Sequence, residues 1–295
     1  MPGKTNRGLW PLIMPTFLAL VAITVLPILV TLGISLFYVD LTMPGMTRFA
    51  GLENYFELFQ DSRFLNSLTV TAKLIFIPVA LQIVIGLLLA MVLKEKLPGT
   101  GWMRMAFLLP AVIPPAVSGL VWKLFIVPGA GGLSYLGHVI GVDLSLDLLS
   151  MPGSALTLVI VTSVWVGTPF VALLMLSALE SLGEEQYEAA RIDGASWFQA
   201  HWHISLPEIR PVILTVAVFR ILEALAIFPI IFVLTGGGPA GATEPINYYA
   251  YVNGFEYLRV DYAATIIFFF FVVMMGICSP FLINIARRES REEAR

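Results

Sequence analysis

Cysteine and histidine are scarce, with Cys278 as the single thiol and three histidines among 295 residues. A lone cysteine excludes an intrachain disulfide and a cysteine metal cluster. His201 and His203 are only two residues apart and would face different directions on a helix, so they do not form a metal-binding pair. The sequence therefore predicts no metal site.

Charged residues are equally sparse, at 13% of the chain against about 25% in ordinary soluble domains. The formal net charge of −3 offers no basic face for nucleic acid. Apolar residues make up 58% of the chain, and the mean hydropathy is +0.87. This composition predicts a protein surrounded by membrane lipid. Because no Ser-rich or charged linker divides the apolar stretches, we expect residues 1–295 to form a single domain.

Recognisable catalytic patterns are also missing from the sequence. It has no grouping of Ser, His and acid and no pair of catalytic carboxylates at useful spacing. The phosphate-binding pattern GxxxxGK[ST] does not occur either. We therefore predict that the chain has no catalytic residues, is not an enzyme and does not itself bind ATP.

Long apolar segments are abundant instead, and six of them reach the roughly 20 residues needed to cross a hydrocarbon core of about 30 Å. They must be helices, since lipid offers no partners for open backbone groups and barrel strands are shorter. The first segment is too long for a secretory signal. The predicted fold is an all-α integral membrane protein with six transmembrane helices, at about 9–37, 68–93, 105–127, 155–179, 211–235 and 260–286.

Basic residues are unevenly distributed between the connecting segments. With the N-terminus inside, eleven of the seventeen are cytoplasmic and three, Arg48, Arg63 and Arg259, are outside. The positive-inside rule then predicts a multi-pass protein with both termini cytoplasmic. The eleven inside residues are Lys4, Arg7, Lys94, Lys96, Arg104, Arg191, Arg210, Arg287, Arg288, Arg291 and Arg295.

The long polar loop 180–210 is the most informative segment. It contains two capping-box patterns, each of which predicts a helix start. Gly194 stands between them, where a left-handed turn is inexpensive for glycine. The loop is therefore predicted to be a helix, a glycine turn and a second helix that ends at Leu206-Pro207. The capping boxes are Ser181 with Glu184 and Ser196 with Gln199.

Three short motifs in this loop, Glu188-Ala189-Ala190, Asp193-Gly194-Ala195 and Ile204-Ser205-Leu206-Pro207, have a characteristic spacing. Their spacing resembles the EAA loop of bacterial ABC-importer permeases. The resemblance implies that residues 181–207 form coupling helices that dock on a separate cytoplasmic ATPase. The ATPase-coupling residues that it implies are Glu188, Ala189, Ala190, Asp193, Gly194, Ala195, Leu206 and Pro207.

Four further motifs, Gly51–Tyr55, Trp122-Lys123, Trp165–Pro169 and Leu234–Pro239, resemble the carbohydrate branch of these permeases, the maltose and glycerol-phosphate type. The resemblance implies a subunit of a binding-protein-dependent importer for a sugar or sugar-like solute, located in the bacterial inner membrane. Its implied partners are a second homologous permease, two ATPase subunits that carry ATP and Mg, and an extracytoplasmic solute-binding protein. That branch often has Phe-Asp where this chain has Phe228-Pro229, so no role of that acid is transferred.

Two groups of side chains outside the loop could contact the solute or form a gate. Arg220 and Glu223 can meet on one face of the fifth span, and an unpaired Arg there would cost about 2.5–3.5 kcal/mol. They are either a polar contact for the solute or an ion pair that holds helices together. Tyr248, Tyr249 and Tyr251 suit stacking on sugar rings or docking a binding protein, and an interfacial aromatic belt explains them equally well.

Two other classes of protein compete with the importer permease. The first is an ion-gradient-driven secondary transporter, against which the lack of a visible inverted repeat and the few intramembrane acids argue. The second is an intramembrane enzyme, against which the missing catalytic grouping argues.

Overall fold

The computed structural model describes residues 10–39, 41–42, 45–95 and 100–292, which excludes Lys4, Arg7, Lys96 and Arg295 of the charge count. Within these ranges the regular structure is helical, except for a short antiparallel hairpin that pairs Phe37 with Phe49. The chain falls into two compact units, Met1–Leu65 with Tyr249–Arg295, and Asn66–Tyr248. Each unit is described separately.

The first unit combines the two ends of the chain. Its elements are α1 (Trp10–Ser35), β1 (Phe37–Tyr38), β2 (Arg48–Phe49), α2 (Glu53–Gln60), a π-helical turn (Val252–Glu256) and α13 (Val260–Glu292). Helix α1 packs along α13. Near the ends of these helices, Asn54 of α2 donates its amide to the carbonyl oxygens of Ser35 and Phe37, at 2.9 Å each. A buried side chain thus satisfies the backbone groups left open where α1 ends.

The second unit contains the remaining helices. Two of them, α3 and α12, cross the boundary, so that a few residues of each belong to the first unit. These are α3 (Ser62–Lys94), α4 (Thr100–Val112), α5 (Pro115–Phe125), α6 (Gly132–Ile140), α7 (Pro152–Glu180), α8 (Glu184–Ile192), α9 (Trp197–Ala200), α10 (Leu206–Ala224), α11 (Phe228–Leu234) and α12 (Ile246–Tyr251). Helices α3, α7 and α10 share one apolar core, to which Met91, Met175 and Ile209 contribute. Gly86 allows α3 to approach α7 closely, because a Cβ there would lie 2.7 Å from the Val171 side chain.

Four of the described helices, α1, α3, α7 and α13, are long and apolar enough to cross a membrane. The stretch Trp197–Ala224 and α11 make a fifth if this pair, bent by 49°, counts as one span. The predicted span 105–127 is divided into α4 and α5, of 13 and 11 residues. Pro114 and Pro115 explain the break, because proline lacks the backbone N–H that a continuous helix needs. A multi-pass helical membrane protein is therefore confirmed, whereas the count of six spans stays a prediction.

The bend between α10 and α11 coincides with Phe228-Pro229, the dipeptide that departs from the carbohydrate-branch pattern. Pro229 lies in the first turn of α11. Proline is well tolerated there because the first N–H groups of a helix have no partner within it. Position 229 therefore lies at the start of α11 in this chain and has no acidic side chain.

Candidate functional site

The loop between α7 and α10 contains α8, a glycine turn and α9. Gly194 has a φ of 80°, in the left-handed region, and ends the turn that follows α8. Ser196 caps α9 as predicted: its hydroxyl oxygen accepts from the Gln199 N–H at 3.3 Å, and Gln199 Oε1 accepts from the Ser196 N–H at 2.8 Å. Both local predictions are therefore confirmed.

Two boundaries of this loop were predicted wrongly. Ser181 does not cap α8, which begins after Gly183; helix α7 extends to Glu180, and the Ser181 hydroxyl donates to the Ala178 carbonyl at 2.7 Å. The second helix does not end at Leu206-Pro207 either. It continues from α9 through a π-helical turn, His201–Ser205, into α10, where Pro207 lies in the first turn and its missing N–H is tolerated.

The predicted coupling residues lie mostly on the accessible side of this loop. Glu188, Ala189, Asp193, Gly194 and Pro207 are exposed, while Ala190, Ala195 and Leu206 are partly buried. Glu188 of α8 and Asp193, which follows the helix, are therefore accessible to the surface of another protein.

Four large apolar side chains of the same loop, Trp197 among them, are also exposed. Ile192 is 87% exposed, and Phe198 and Trp202 are more than half exposed, with their rings stacked 5.9 Å apart. Sequence reasoning concentrated on the charges and missed these residues, although an apolar side chain in an otherwise polar loop is a visible signal. Exposed large apolar groups of this kind are typical of protein interaction sites.

A cavity of about 380 Å³ lies in the second unit among α3, α4, α5, α7, α10 and α11. Small-molecule sites usually measure roughly 300–1,000 Å³. Its lining is largely apolar, and its polar residues are Gln82, Ser163, Arg220 and Glu223. An apolar cavity with a few convergent polar groups is the usual form of a solute-binding site.

Arg220 is the centre of the polar wall of this cavity. Its Nε donates to Gln82 Oε1 at 2.9 Å, and its guanidinium forms an ion pair with Glu223. Gln82 Nε2 in turn donates to the Ser163 carbonyl at 2.8 Å, which fixes the orientation of the amide. The Arg220 side chain is 13% exposed, and that of Glu223 is 52% exposed. Arg220 therefore faces the interior of this unit, whereas Glu223 is largely accessible.

Sequence reasoning missed Gln82 and Gly167 in this wall. A Cβ on Gly167 would collide with the Arg220 guanidinium and lie 2.5 Å from Gln82 Nε2, so only glycine leaves room for this pairing. Gln82 could have been noticed, because it is the one polar side chain in the apolar run 74–93, and polar groups in such runs usually face the bundle interior.

Two of the three tyrosines of residues 248–251 are buried, and the third is partly buried. Tyr248 is buried and packs on Phe228 at 5.7 Å between ring centroids. Tyr249 is buried too, and its hydroxyl donates to the Asp61 carboxylate. Tyr251 is partly buried and stacks on Phe255. Buried rings cannot offer their faces to a sugar, so Tyr248 and Tyr249 serve packing and hydrogen bonding here.

Asp61 explains the position of Tyr249 in the first unit. It also accepts hydrogen bonds from the Tyr262 hydroxyl at 2.6 Å and from the Arg63 backbone N–H at 2.8 Å. Burial opposes ionisation of this carboxyl, but the hydrogen bonds outweigh it and hold the pKa of Asp61 below its usual value. Asp61 is therefore an ionised acceptor that fixes both phenols.

Comparison with known proteins identifies the class of protein. Residues 82–291 match the family described as binding-protein-dependent transport system inner membrane component. The trehalose/maltose transport system permease protein MalF of Thermococcus litoralis is 36% identical over 81% of each chain. The trehalose transport system permease protein SugA of Mycobacterium tuberculosis is 33% identical over 93% of this chain and 91% of SugA.

A solved structure shares the fold over nearly the whole chain. It is the bacterial alginate ABC transporter in complex with an alginate pentasaccharide-bound periplasmic protein, with a TM-score of 0.79 and 22% identity over 96% of this chain and 95% of that chain. The chain therefore belongs to the inner-membrane permeases of binding-protein-dependent transport systems. It is an importer's translocation subunit, which confirms the resemblance seen in the EAA-loop motifs.

Proposed function

We propose that this permease carries a sugar or sugar-like solute. The relatives support this class of solute, since MalF is named for trehalose and maltose, and SugA for trehalose. The cavity supports it too, because Arg220 brings hydrogen-bond donors and the more exposed Glu223 brings acceptors to its wall. A solute with many hydroxyl groups needs donors and acceptors together, whereas a purely apolar solute would use neither.

The proposed complex contains a second homologous permease, two cytoplasmic ATPase subunits that carry ATP and Mg, and an extracytoplasmic solute-binding protein. Loop 181–207 is its docking element for an ATPase subunit. The observation that carries this proposal is the exposure of Ile192, Phe198 and Trp202 beside the acidic residues of α8. Closure of the ATPase pair on ATP would move this loop and open the bundle outward, and hydrolysis would reset it.

Cross-linking tests the docking proposal directly. In a Cys278→Ser background, Ile192→Cys should cross-link to a co-expressed ATPase subunit through a short bifunctional maleimide. The matched control is Ser145→Cys, an exposed position in the loop before α7, which should give no such product. An Ile192→Cys variant that assembles normally yet gives no ATPase adduct would contradict docking by this loop.

The orientation of the chain is a further part of the proposal. The excess of basic residues in the inside segments supports cytoplasmic termini. In the same Cys278→Ser background, a membrane-impermeant maleimide should label Ser145→Cys in intact cells and Glu289→Cys only after permeabilisation. The reverse labelling pattern would contradict this orientation and move loop 181–207 to the wrong side for an ATPase.

A further inference from the structure

A polar cluster with a buried centre lies beneath the coupling loop in the second unit. Its centre is the fully buried Ser205, whose Oγ is 2.8 Å from the Tyr187 hydroxyl and 2.7 Å from His201 Nδ1. His201 is 4% exposed. Tyr187 belongs to α8, so these contacts fasten the first helix of the loop to the π-helical turn His201–Ser205 that leads into α10.

The same cluster reaches the end of α3. Trp197 Nε1 donates to Glu95 Oε1 at 2.7 Å, and His201 Nε2 lies 3.7 Å from that oxygen. Among the residues that the structure describes, Lys94 Nζ has no hydrogen-bond partner; it is buried and lies 3.7 Å from the centre of the Tyr187 ring, within the range of a cation–π contact. We call Lys94, Glu95, Tyr187, Trp197, His201 and Ser205 the clasp.

The π-helical turn explains how the clasp can form. Its Leu206 N–H bonds the His201 carbonyl five residues back, so the turn is wider than in an α-helix. His201 and Ser205, four residues apart, lie on one face and both point inward. Such turns are frequent at functional sites, and this one places both side chains against α3 and α8.

Along the chain, the coupling loop is continuous only with α7 and α10. Helix α3 is connected to it through the clasp, and α3 is also the helix that carries Gln82 to the cavity wall. Between Lys94 and Gln82 the helix rises roughly 18 Å, at about 1.5 Å per residue. A rigid helix of this length can transmit a displacement of its end to the Arg220 side chain that Gln82 holds.

We propose that the clasp is a second mechanical connection, which makes the inner end of α3 move with the coupling loop and transmits ATPase motion to Gln82 and Arg220. This inference rests on the proposed docking of the loop to the ATPase. Tyr187, His201, Ser205 and Glu95 are then positioning residues: they contact neither solute nor nucleotide, and they determine which helix the movement reaches.

Spin-label distances test this route in the complete reconstituted complex. Nitroxides at two exposed positions, Val92 of α3 and Glu185 of α8, report whether the helix and the loop move together. With the clasp intact, their separation should be the same in nucleotide-free and ATP-bound complexes. In Ser205→Ala it should change on ATP binding. Stimulation of ATP hydrolysis by the solute-binding protein, purified with its bound solute, should fall on the order of fivefold in this variant.

Two further variants separate this role from a general loss of folding. Tyr187→Phe keeps the ring beside Lys94 and removes only the hydroxyl, so it should show the same ATP-dependent change even if Ser205→Ala assembles poorly. Ser177→Ala removes a hydroxyl of α7 that bonds only its own helix, at 3.0 Å to Leu173 O, and should behave as wild type.

Three results would overturn the proposal. They are an ATP-dependent change of the Val92–Glu185 distance in the wild-type complex, no such change in Tyr187→Phe, or unaltered stimulation in both clasp variants. If instead Ile192→Cys never cross-links to an ATPase subunit, the docking proposal fails and the clasp proposal falls with it. If Ile192→Cys cross-links to an ATPase subunit but the clasp variants behave as wild type, the docking proposal stands and only the clasp proposal is refuted.

Discussion

A Gly194→Val variant is expected to lose most of its ATP-driven uptake. Gly194 has a φ of 80°, and a side chain there would meet no atom within 4 Å, so the defect would come from the backbone alone. Left-handed conformations cost L-residues roughly 1–2 kcal/mol, and a β-branched side chain fits them least well. Relieving this strain would change the angle between α8 and α9. A strain energy of about 1–2 kcal/mol corresponds to a factor of roughly 5–30, and we expect uptake to fall by this factor. Uptake would be measured with proteoliposomes that hold the complete complex.

The matched control is Gly183→Val, in the same loop. Gly183 has a φ of −61° and equally open surroundings, so the same side chain is added without backbone strain. Uptake should stay near the wild-type rate. Equal losses in the two variants would contradict a special role for the Gly194 turn.

Charge in the same loop can be tested separately with Glu188→Lys. If the ATPase presents a basic surface to α8, this change turns a favourable contact into like-charge repulsion, which can cost several kcal/mol in a desolvated interface. Docking should weaken while the affinity of the isolated binding protein for its solute stays unaltered. Normal co-purification of the ATPase subunits with Glu188→Lys would argue against charge as the basis of docking.

Arg220→Ala is expected to reduce uptake by at least about tenfold, the second large effect. The change removes the partner of the buried Gln82 amide and the ion pair with Glu223. A buried polar group left without its partner costs about 1–3 kcal/mol, and the cavity wall also loses its only cation among the described lining residues. Uptake and the yield of assembled complex should both be measured, since loss of yield alone would indicate a purely structural ion pair.

Gly167→Ala tests the same wall without removing any of its polar groups. The added methyl group would displace the Arg220 guanidinium from Gln82, so uptake should fall while Arg220 remains present. Gly153→Ala provides the matched control on the same helix, because a Cβ there meets nothing within 4 Å. Wild-type uptake in both Arg220→Ala and Gly167→Ala would show that this polar wall is incidental to transport.

Local patterns account for what the sequence predicted well. The left-handed turn at Gly194 and the Ser196 capping box depend on neighbouring residues only, and both are present. Hydropathy located α1, α3, α7 and α13 because lipid-spanning helices are defined by composition and length. The capping prediction at Ser181 failed because α7 continues to Glu180, and a spacing rule does not show where the preceding helix ends.

Contacts between distant segments were beyond sequence reasoning. Arg220 and Glu223 could be paired by their spacing, but Gln82 lies 138 residues from Arg220, and only the packing of α3 against α7 and α10 brings it there. The burial of Tyr249 likewise depends on Asp61, 188 residues away in sequence. The clasp could not be predicted for the same reason: in the sequence, Lys94 was significant only as one of the basic residues on the inner side.

ATP dependence of uptake tests the central account most directly. The chain, its partner permease, the ATPase subunits and the solute-loaded binding protein would be reconstituted in proteoliposomes with no proton or sodium gradient. The account predicts uptake that requires both ATP and the binding protein and that collapses in Gly194→Val. Uptake that follows an ion gradient and continues without ATP would contradict it and favour a secondary transporter.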